Sequence, residues 1–518
     1  MQLQISVDHG AFPAGRGRGD TAVALLVRPP AEPGPGSGDD GSTGVLVPTV
    51  WSLPEPLPGE VAAFLGDIGH RGEAGALHRL ARPTRTPSQL LLVGMGDGRP
   101  RAWRDIGAAL VRATSERMPS VVLALPADST DVFAGELALG AWLASYRFAS
   151  DGSAARSAPR SARRRITLIA AAGDVAVARE AVASARALAQ AVTLARDLTN
   201  TPSAQKSPQW FADRVARAAS RRTGVALTVL DEIALADAGF GGVLAVGGGS
   251  TRPPRFVELS WRPRGARTHV VLVGKGICFD SGGISIKPLD AMKLMRKDMG
   301  AAATVCATVL AAADLRLPVR VTALAPLAEN LVSGSSMRPG DVIRHYGGQT
   351  TEVLDTDAEG RLVLADALAY AARRLRPDYL IDLATLTGAS HVALGKQTAA
   401  LFSDDPALAD ALRVAGDEAG EPVWRLPLTD DYLGLLRSDV ADLANIGQPS
   451  QAGAIVAALF LRELTGECRD RWAHIDMSAP AWSDRETGPL AKGATGWGVR
   501  LLVRFLSTLT ARGALIER

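Results

Sequence analysis

At 518 residues, 47% hydrophobic and 21% charged, the chain has the composition of a globular protein long enough for roughly two to four domains. Its formal net charge is only +3, so bulk charge implies neither a nucleic-acid nor a membrane partner. Three scattered cysteines, Cys278, Cys306 and Cys468, exclude a disulfide framework or a CxxC metal site and fit a reducing cytoplasm.

The first ten residues, MQLQISVDHG, have neither a basic n-region nor an apolar h-region, which predicts a protein without a secretory signal. Apolar stretches at 21–27 (TAVALLV), 90–94, 120–125 and 166–170 read as strands, with helices at 103–117 and 132–146. That alternation predicts a parallel sheet covered by helices. The Pro/Gly-rich stretch 29–44 reads as a flexible loop. GMGDG at 94–98 lacks the full GxGxxG spacing and reads as a plain turn. RSAPRSARRR at 156–165 reads as a solvated basic connection, with contact to a nucleic acid as the alternative. Residues 172–198 form one Ala-rich helical run suited to bridge two domains. The expected division is an N-terminal α/β domain over 1–171, a linking helix over 172–200, and a second α/β domain over 201–518. In the second, a helix is expected at 208–223 and strands at 227–231, 256–259 and 269–273, with a glycine-rich segment at 238–249. The longest apolar run, AGAIVAALFL at 452–461, is about half a membrane span and reads as a buried helix.

Three segments of the second domain carry candidate chemistry. After the strand at 269–273 comes GKGICFDSGGISIKP, residues 274–288. A phosphate-binding loop fails here, because His269 and Gly276 stand where it needs glycine and a hydroxyl. Lys275, Asp280 and Lys287 remain, among glycines that let the backbone pack tightly. MKLMRKDM at 292–299 is expected to open a helix running through 301–313, with Asp298 in its first turn. An acid among small apolar residues is costly unless it caps, pairs or binds a metal. The third segment, DTDAEGRL at 355–362, reads as strand end, acidic turn and helix start. Asp355, Asp357 and Glu359 alternate there. On an extended segment they would face one side and repel unless a cation sat among them; a solvated acidic turn is the plain alternative.

Together Lys275, Asp280, Lys287, Asp298, Asp355, Asp357, Glu359 and Arg361 fall at strand ends or in turns of one α/β domain, where ligands gather at the carboxyl ends of strands. Oxygen-rich ligation without His or Cys suits Mg, Mn or Zn, and bridging carboxylates suit a two-metal site for hydrolysis without a protein nucleophile. Ser281 reads as part of a tight turn; His345, His391 and His474 read as structural.

VGKGICFDSGG, ISIKP, MRKDMG, DTDAEGRLVLADAL and LATLTGA, in that order, resemble the leucyl aminopeptidase family, hexameric two-metal cytosolic enzymes. The resemblance covers about residues 190–510, with ARDLTNTP and KGATGWGVRLL at its ends; the N-terminal part, which would be macro-like, shares the α/β layout and LGAWLASYRF. It implies that Lys275 and Asp298 hold an exchangeable divalent metal and Asp357 a tighter one, with Asp280 and Glu359 touching both. Mn or Zn is implied, and Mg or Co also fits. Lys287 would polarise the scissile carbonyl. Gly360, Arg361 and the Leu386 backbone would hold a bicarbonate acting as general base. Met295, Thr385 and Gly388 would line the pocket for the N-terminal side chain, preferably bulky and apolar. The implied assembly is a homohexamer built as a dimer of trimers. Asp355 departs from the family's usual Asn, which adds a carboxylate beside the metals. Ser478 and Ala481 suggest a roomier pocket. DNA binding through 156–165, and another two-metal hydrolysis such as that of a phosphoester, are the competing readings.

Overall fold

The computed structural model describes residues 3–13, 21–30, 43–115, 118–127, 131–148 and 164–512. Two compact units share the chain: residues 1–190 with 485–491, and residues 191–484 with 492–518. The division at 190/191 falls inside one long helix, Val175–Asn200.

The first unit contains strands β1 (Leu3–Asp8), β2 (Thr21–Arg28), β3 (Val45–Leu46), β4 (Leu77–Ala81), β5 (Gln89–Gly94), β6 (Ser120–Ala124) and β7 (Arg164–Ile169). They order as β1-β7-β6-β2-β5-β4 with β3 on β2, and the β1–β7, β7–β6, β6–β2 and β2–β5 pairs are parallel. The expected parallel core is therefore present, with antiparallel additions at β3 and β4. β1 has no counterpart in the sequence pattern. Only Leu3 and Val7 are buried along it, too sparse an alternation to mark an edge strand. Helices Pro100–Ala113 and Asp131–Ala144 cover the sheet. The first stops short of residue 117 because Thr114 turns extended. Most of the 29–44 loop, and residues 156–163 of the basic connection, lie outside the described residues.

The second unit is built on β8 (Val225–Leu230), β9 (Arg255–Trp261), β10 (His269–Gly274), β11 (Gly276–Asp280), β12 (Arg320–Asn330), β13 (Val342–Arg344), β14 (Thr350–Glu352), β15 (Tyr379–Ala384), β16 (Ala399–Phe402), β17 (Val423–Arg425), β18 (Leu443–Ala444) and β19 (Trp472–Asp476). A mixed sheet runs β17-β16-β19-β15-β10-β12-β9-β8, with β11 extending β12. β10, β11, β12, β15 and β19 are parallel to one another, so Gly274, Asp280, Asn330, Ala384 and Asp476 close the same edge. β10 and β15 are buried at every position, which is the continuous apolar run expected of a strand covered on both faces.

Helices Gly300–Asp314, Gly360–Tyr370 and Gly453–Arg462 pack around this sheet, and the last two contribute Leu362, Leu364, Leu368 and Phe460 to a core shared with Val271, Leu324 and Trp472. The apolar run at 452–461 is thus a buried helix. Among the described residues no helix is long and apolar enough to cross a membrane.

Candidate active site

The carboxyl edge of β10, β11, β12 and β15 carries the site. Lys275 follows β10, and its Nζ lies 2.9 Å from Asp298 Oδ2 and 2.7 Å from Glu359 Oε1. Lys287 Nζ lies 2.8 Å from Asp280 Oδ2 and 2.5 Å from Asp357 Oδ1. Ligand oxygens of Asp280, Asp357 and Glu359 all fall within 4.8 Å of one another. Two lysines thus thread four carboxylates that the sequence places up to 79 positions apart, from Asp280 to Glu359 (359 − 280).

Backbone constraints produce this convergence. Asp280 ends β11, and its Oδ1 accepts bonds from Gly282 N (2.8 Å) and Asn330 Nδ2 (2.9 Å). The glycine turn after it is obligatory at Gly282, whose φ is +88° and whose missing Cβ would overlap the Ser285 carbonyl and sit 2.9 Å from Asp357 Oδ1. Thr356 Oγ1 donates to Gly282 O (2.7 Å) and accepts from Ser285 N (2.8 Å), which latches this turn to the acidic turn at 355–359. Ser281 is used structurally, donating to Asn330 O at 2.8 Å. Asp298 sits between a 3-10 turn, Met295–Lys297, and the helix Gly300–Asp314, so it precedes the helix and is not in its first turn. Thr385 Oγ1 donates to Asp298 Oδ1 at 2.6 Å.

Asp355 does not share a face with Asp357 and Glu359 as alternation predicts. The segment is a turn, closed by Ala358 N to Asp355 O at 3.2 Å, and Asp355 Oδ1 accepts the Asp357 N–H at 2.8 Å. Asp355 therefore caps the turn and lines the adjoining cavity, while Asp357 and Glu359 join the cluster. Asn445 holds the turn from outside, taking the Leu354 and Asp355 N–H groups and donating to Asp355 O.

Electrostatics point to a deficit of positive charge. Glu359 is fully buried, and burial, then Asp280, pushes its carboxyl up to about 8. Asp357 is raised to about 6, chiefly by burial. Asp280 is also raised, by burial and then Asp298. Burial lowers Lys275 and Lys287, but the surrounding carboxylates outweigh it and hold both above the ordinary lysine value. Glu359 Oε2 finds no hydrogen-bond partner among the described residues although it is buried. A buried carboxylate oxygen without a donor, in a cluster of hard oxygen ligands, fits divalent cations.

Beside the cluster, a cavity of about 250 Å³ is lined by Lys275, Asp355, Asp357, Gly360, Arg361, Leu386, Thr387 and Gly388, among others. Gly388 reaches this cavity; Thr385 instead turns its hydroxyl to Asp298, and Met295 lies half-buried in the turn before it. Arg361 is buried in the first turn of its helix. Burial lowers it to about 10, Nη1 donates to Asn445 O at 2.5 Å, and Nε has no partner among the described residues. The Leu386 amide is already engaged, donating to Asp476 Oδ1 at 3.0 Å. Two of the three histidines read as structural are so, His345 bonding Asp366 and Thr351 and His474 bonding Asp382, while His391 is exposed on the helix Gly388–Leu394.

Gly360 is the second glycine the site requires. A methyl group there would overlap Lys275 Cε and come within 2.6 Å of Nζ. Gly360→Ala is expected to displace the Lys275 ammonium and lower kcat/KM about 100-fold with little change in folding, read from turnover and circular dichroism. Activity within about twofold of wild type would show that Lys275 need not stay where it is.

Two comparisons of the sequence decide the family. The family model described as "Cytosol aminopeptidase family, catalytic domain" matches residues 193–503, and that for its N-terminal domain matches 42–150. The chain belongs to the cytosol aminopeptidase family. A probable cytosol aminopeptidase of Mycobacterium marinum is 41% identical over 516 residues, covering 96% of each chain, and one of Gluconobacter oxydans is 39% identical, covering 97% and 98%. Among solved structures, the bottromycin maturation enzyme BotP in complex with Mn is 35% identical with a TM-score of 0.79, covering 95% of this chain and all of that one. A mutant of tomato leucine aminopeptidase is 30% identical with a TM-score of 0.80, covering 98% and 96%. Membership makes the chain a metal-dependent exopeptidase of the leucyl aminopeptidase type, acting on peptides. The phosphoesterase reading gives way to it.

Asn330, Asn445, Asp476 and Lys206 escaped the sequence pattern. Asp476 carried the same signal as Asp280, an acid closing an apolar strand. Lys206 carried none. It is fully buried, its Nζ donating to Thr199 O (3.0 Å) and Arg296 O (2.5 Å), and burial lowers it to about 7. Between pH 7 and the unfolded value near 10.4 the unfolded chain binds this proton more tightly, so stability rises with pH through that window. Relative to Lys206→Met, the wild type should gain about 4–5 kcal/mol from below pH 7 to above pH 10. Paired thermal melts at the two ends measure it, and a difference that does not move with pH would mean the fold leaves the amine at its unfolded pKa.

Proposed function

We propose that the site holds two divalent cations, Mn or Zn in the cell, and removes an N-terminal residue, preferably bulky and apolar, from peptides. The observation that carries this is the convergence of Asp280, Asp357 and Glu359 on one another between Lys275 and Lys287. Lys275 and Asp298 would hold the exchangeable cation, Asp357 the tighter one, and Asp280 and Glu359 both. The cations would supply Lewis acidity and a nucleophilic water at neutral pH.

The chain's own groups do the rest. Lys287, charged between two carboxylates, donates a hydrogen bond to the scissile carbonyl as negative charge develops on its oxygen. Arg361 and the free amides at the start of the helix Gly360–Tyr370 favour an anion there. A bicarbonate at that point would act as general base, held by Gly360 and Arg361 without the Leu386 amide, which Asp476 occupies. Gly388, with Met295, Thr385, Ser478 and Ala481, shapes the space for the N-terminal side chain. The protein acts in the cytoplasm as a homohexamer, a dimer of trimers.

The test is protein dialysed against chelator and assayed on leucine p-nitroanilide with Mn2+ or Zn2+ restored. Activity returning with metal, absent on N-acetyl-leucine p-nitroanilide and falling from leucine to glycine substrates, is the expected result. Cleavage of the acetylated substrate, or turnover undiminished without metal, would overturn it.

A further inference from the structure

Asp476 stands outside the metal-binding cluster, yet it organises the wall facing the substrate. It is the last residue of β19 and the register partner of Ala384, the last residue of β15. It is 1% exposed. Among the described residues no lysine, arginine or histidine forms an ion pair with it. Its charge is met instead by five neutral donors. Oδ1 accepts from Leu386 N (3.0 Å) and Ser478 N (3.1 Å). Oδ2 accepts from Thr387 N (3.0 Å), Thr387 Oγ1 (2.7 Å) and Ser390 Oγ (2.8 Å). Hydrogen bonds to an ionised acceptor are roughly twice as strong as neutral ones, and a carboxylate offers about four lone-pair sites, so this side chain is saturated, with four of its donors drawn from residues 386–390 and the fifth from Ser478.

That segment, residues 385–390, is the turn that leads into the helix Gly388–Leu394, and it is what the cavity sees. Leu386, Thr387, Gly388 and Ala389 line the cavity opposite Lys275, Asp357 and Arg361. Ser478 returns to the same loop, donating from Oγ to Thr387 O at 2.8 Å. At its start, Thr385 O accepts from Lys275 Nζ at 3.3 Å.

We propose that Asp476 is a positioning residue for substrate: by collecting the amides and hydroxyls of 386–390 it sets the shape of the cavity wall against which the N-terminal residue of the peptide rests. This rests on the aminopeptidase reading of the site. The charge is essential to the device. In Asp476→Asn one of the two oxygens becomes an NH2 group. Turned either way, that group faces a backbone N–H, that of Leu386 and Ser478 on one side or that of Thr387 on the other. The loop must then move away, without any change in side-chain volume.

The experiment compares wild type, Asp476→Asn and Thr387→Val, each loaded with Mn2+, on leucine and alanine p-nitroanilides, with Mn2+ affinity by calorimetry and melting temperature measured alongside. Asp476→Asn is expected to raise KM about tenfold with kcat within about threefold and Mn2+ affinity within about twofold of wild type. Thr387→Val, which removes one of the five donors to Asp476 together with the hydroxyl that accepts the Ser390 N–H, should raise KM about threefold and serves if the first variant fails to fold. The increase should be larger for leucine than for alanine, since the bulkier side chain makes more of the wall. Unchanged KM in a folded Asp476→Asn, or in Thr387→Val where the first is unfolded, overturns the proposal. So does a loss of Mn2+ affinity that tracks the loss of activity. A wild type inert on both substrates would instead overturn the aminopeptidase reading itself.

Discussion

Glu359→Gln yields a folded protein whose kcat/KM on leucine p-nitroanilide falls by about 10³ or more. The substitution keeps shape and volume in a position with no exposure, so packing of the helix Gly360–Tyr370 on the core is preserved. What it removes is charge and one of the two oxygens facing the cluster. Without metal the two proteins should be closest in stability at acid pH, below the unfolded value near 4.5, because burial and Asp280 push the Glu359 carboxyl up to about 8 and both forms are protonated there. A raised carboxyl contributes stability that is fully present below its unfolded value near 4.5 and is lost as pH rises through 8. Metal-free wild type should therefore lose stability relative to Glu359→Gln as pH climbs from about 4.5 to about 8, and no further above that. With Mn2+ the order reverses, since cations bind the ionised form and must displace its proton.

The same linkage fixes how metal affinity depends on pH. Glu359 at about 8 and Asp357 at about 6 both hold protons that a divalent cation expels, so Mn2+ affinity of the wild type should rise between pH 6 and 8. Calorimetric titration in two buffers of different ionisation enthalpy counts the protons released. Glu359→Gln should release fewer. Equal proton release in the two proteins, or affinity that stays flat with pH, would remove the carboxyl of Glu359 from the metal site.

Much of this was legible in the chain because the informative acids lie at the ends of apolar runs. Asp280 closes β11, Glu359 leads into its helix, and Lys275 follows β10, so the strand-end rule gathers them before any fold is known. The division of labour among the acids of 355–359 was not legible. Alternation places Asp355 with Asp357, but the segment is a turn, and Asp355 spends an oxygen on the Asp357 amide. Side chains that act through backbone were also hidden. Asn330 and Asn445 brace the two turns by contacts 50 and 90 residues apart, and a lone asparagine carries no periodic signal. Lys206, in AQKSP, carries no signal either, yet the fold buries it against two carbonyls. Edge strand β1 failed for the opposite reason: its pattern is half-polar because half of it faces solvent.

Lys287→Met should lower kcat about 10²–10³-fold, worth roughly 3–4 kcal/mol, the usual cost of removing one preorganised donor to a developing oxyanion. KM should change by less than about threefold, because the bond strengthens mainly as charge builds on the carbonyl oxygen. The methionine fills the stem's volume but leaves Asp280 and Asp357 without the ammonium that lies 2.8 and 2.5 Å from them. Metal-free Lys287→Met should therefore melt below the wild type, and Mn2+ should restore its stability without restoring turnover. That separation is the decisive readout, since a purely structural lysine would be rescued in both respects. The flanking carboxylates overcome burial and hold the amine above the ordinary lysine value, so no alkaline limb from Lys287 should enter the wild-type rate profile between pH 6 and 9. Lys287→Arg should recover little, because a planar fork with fixed donors cannot replace a point charge held between two carboxylates. Wild-type kcat in Lys287→Met would remove the lysine from the chemistry and leave it as a counter-ion for the acids around it.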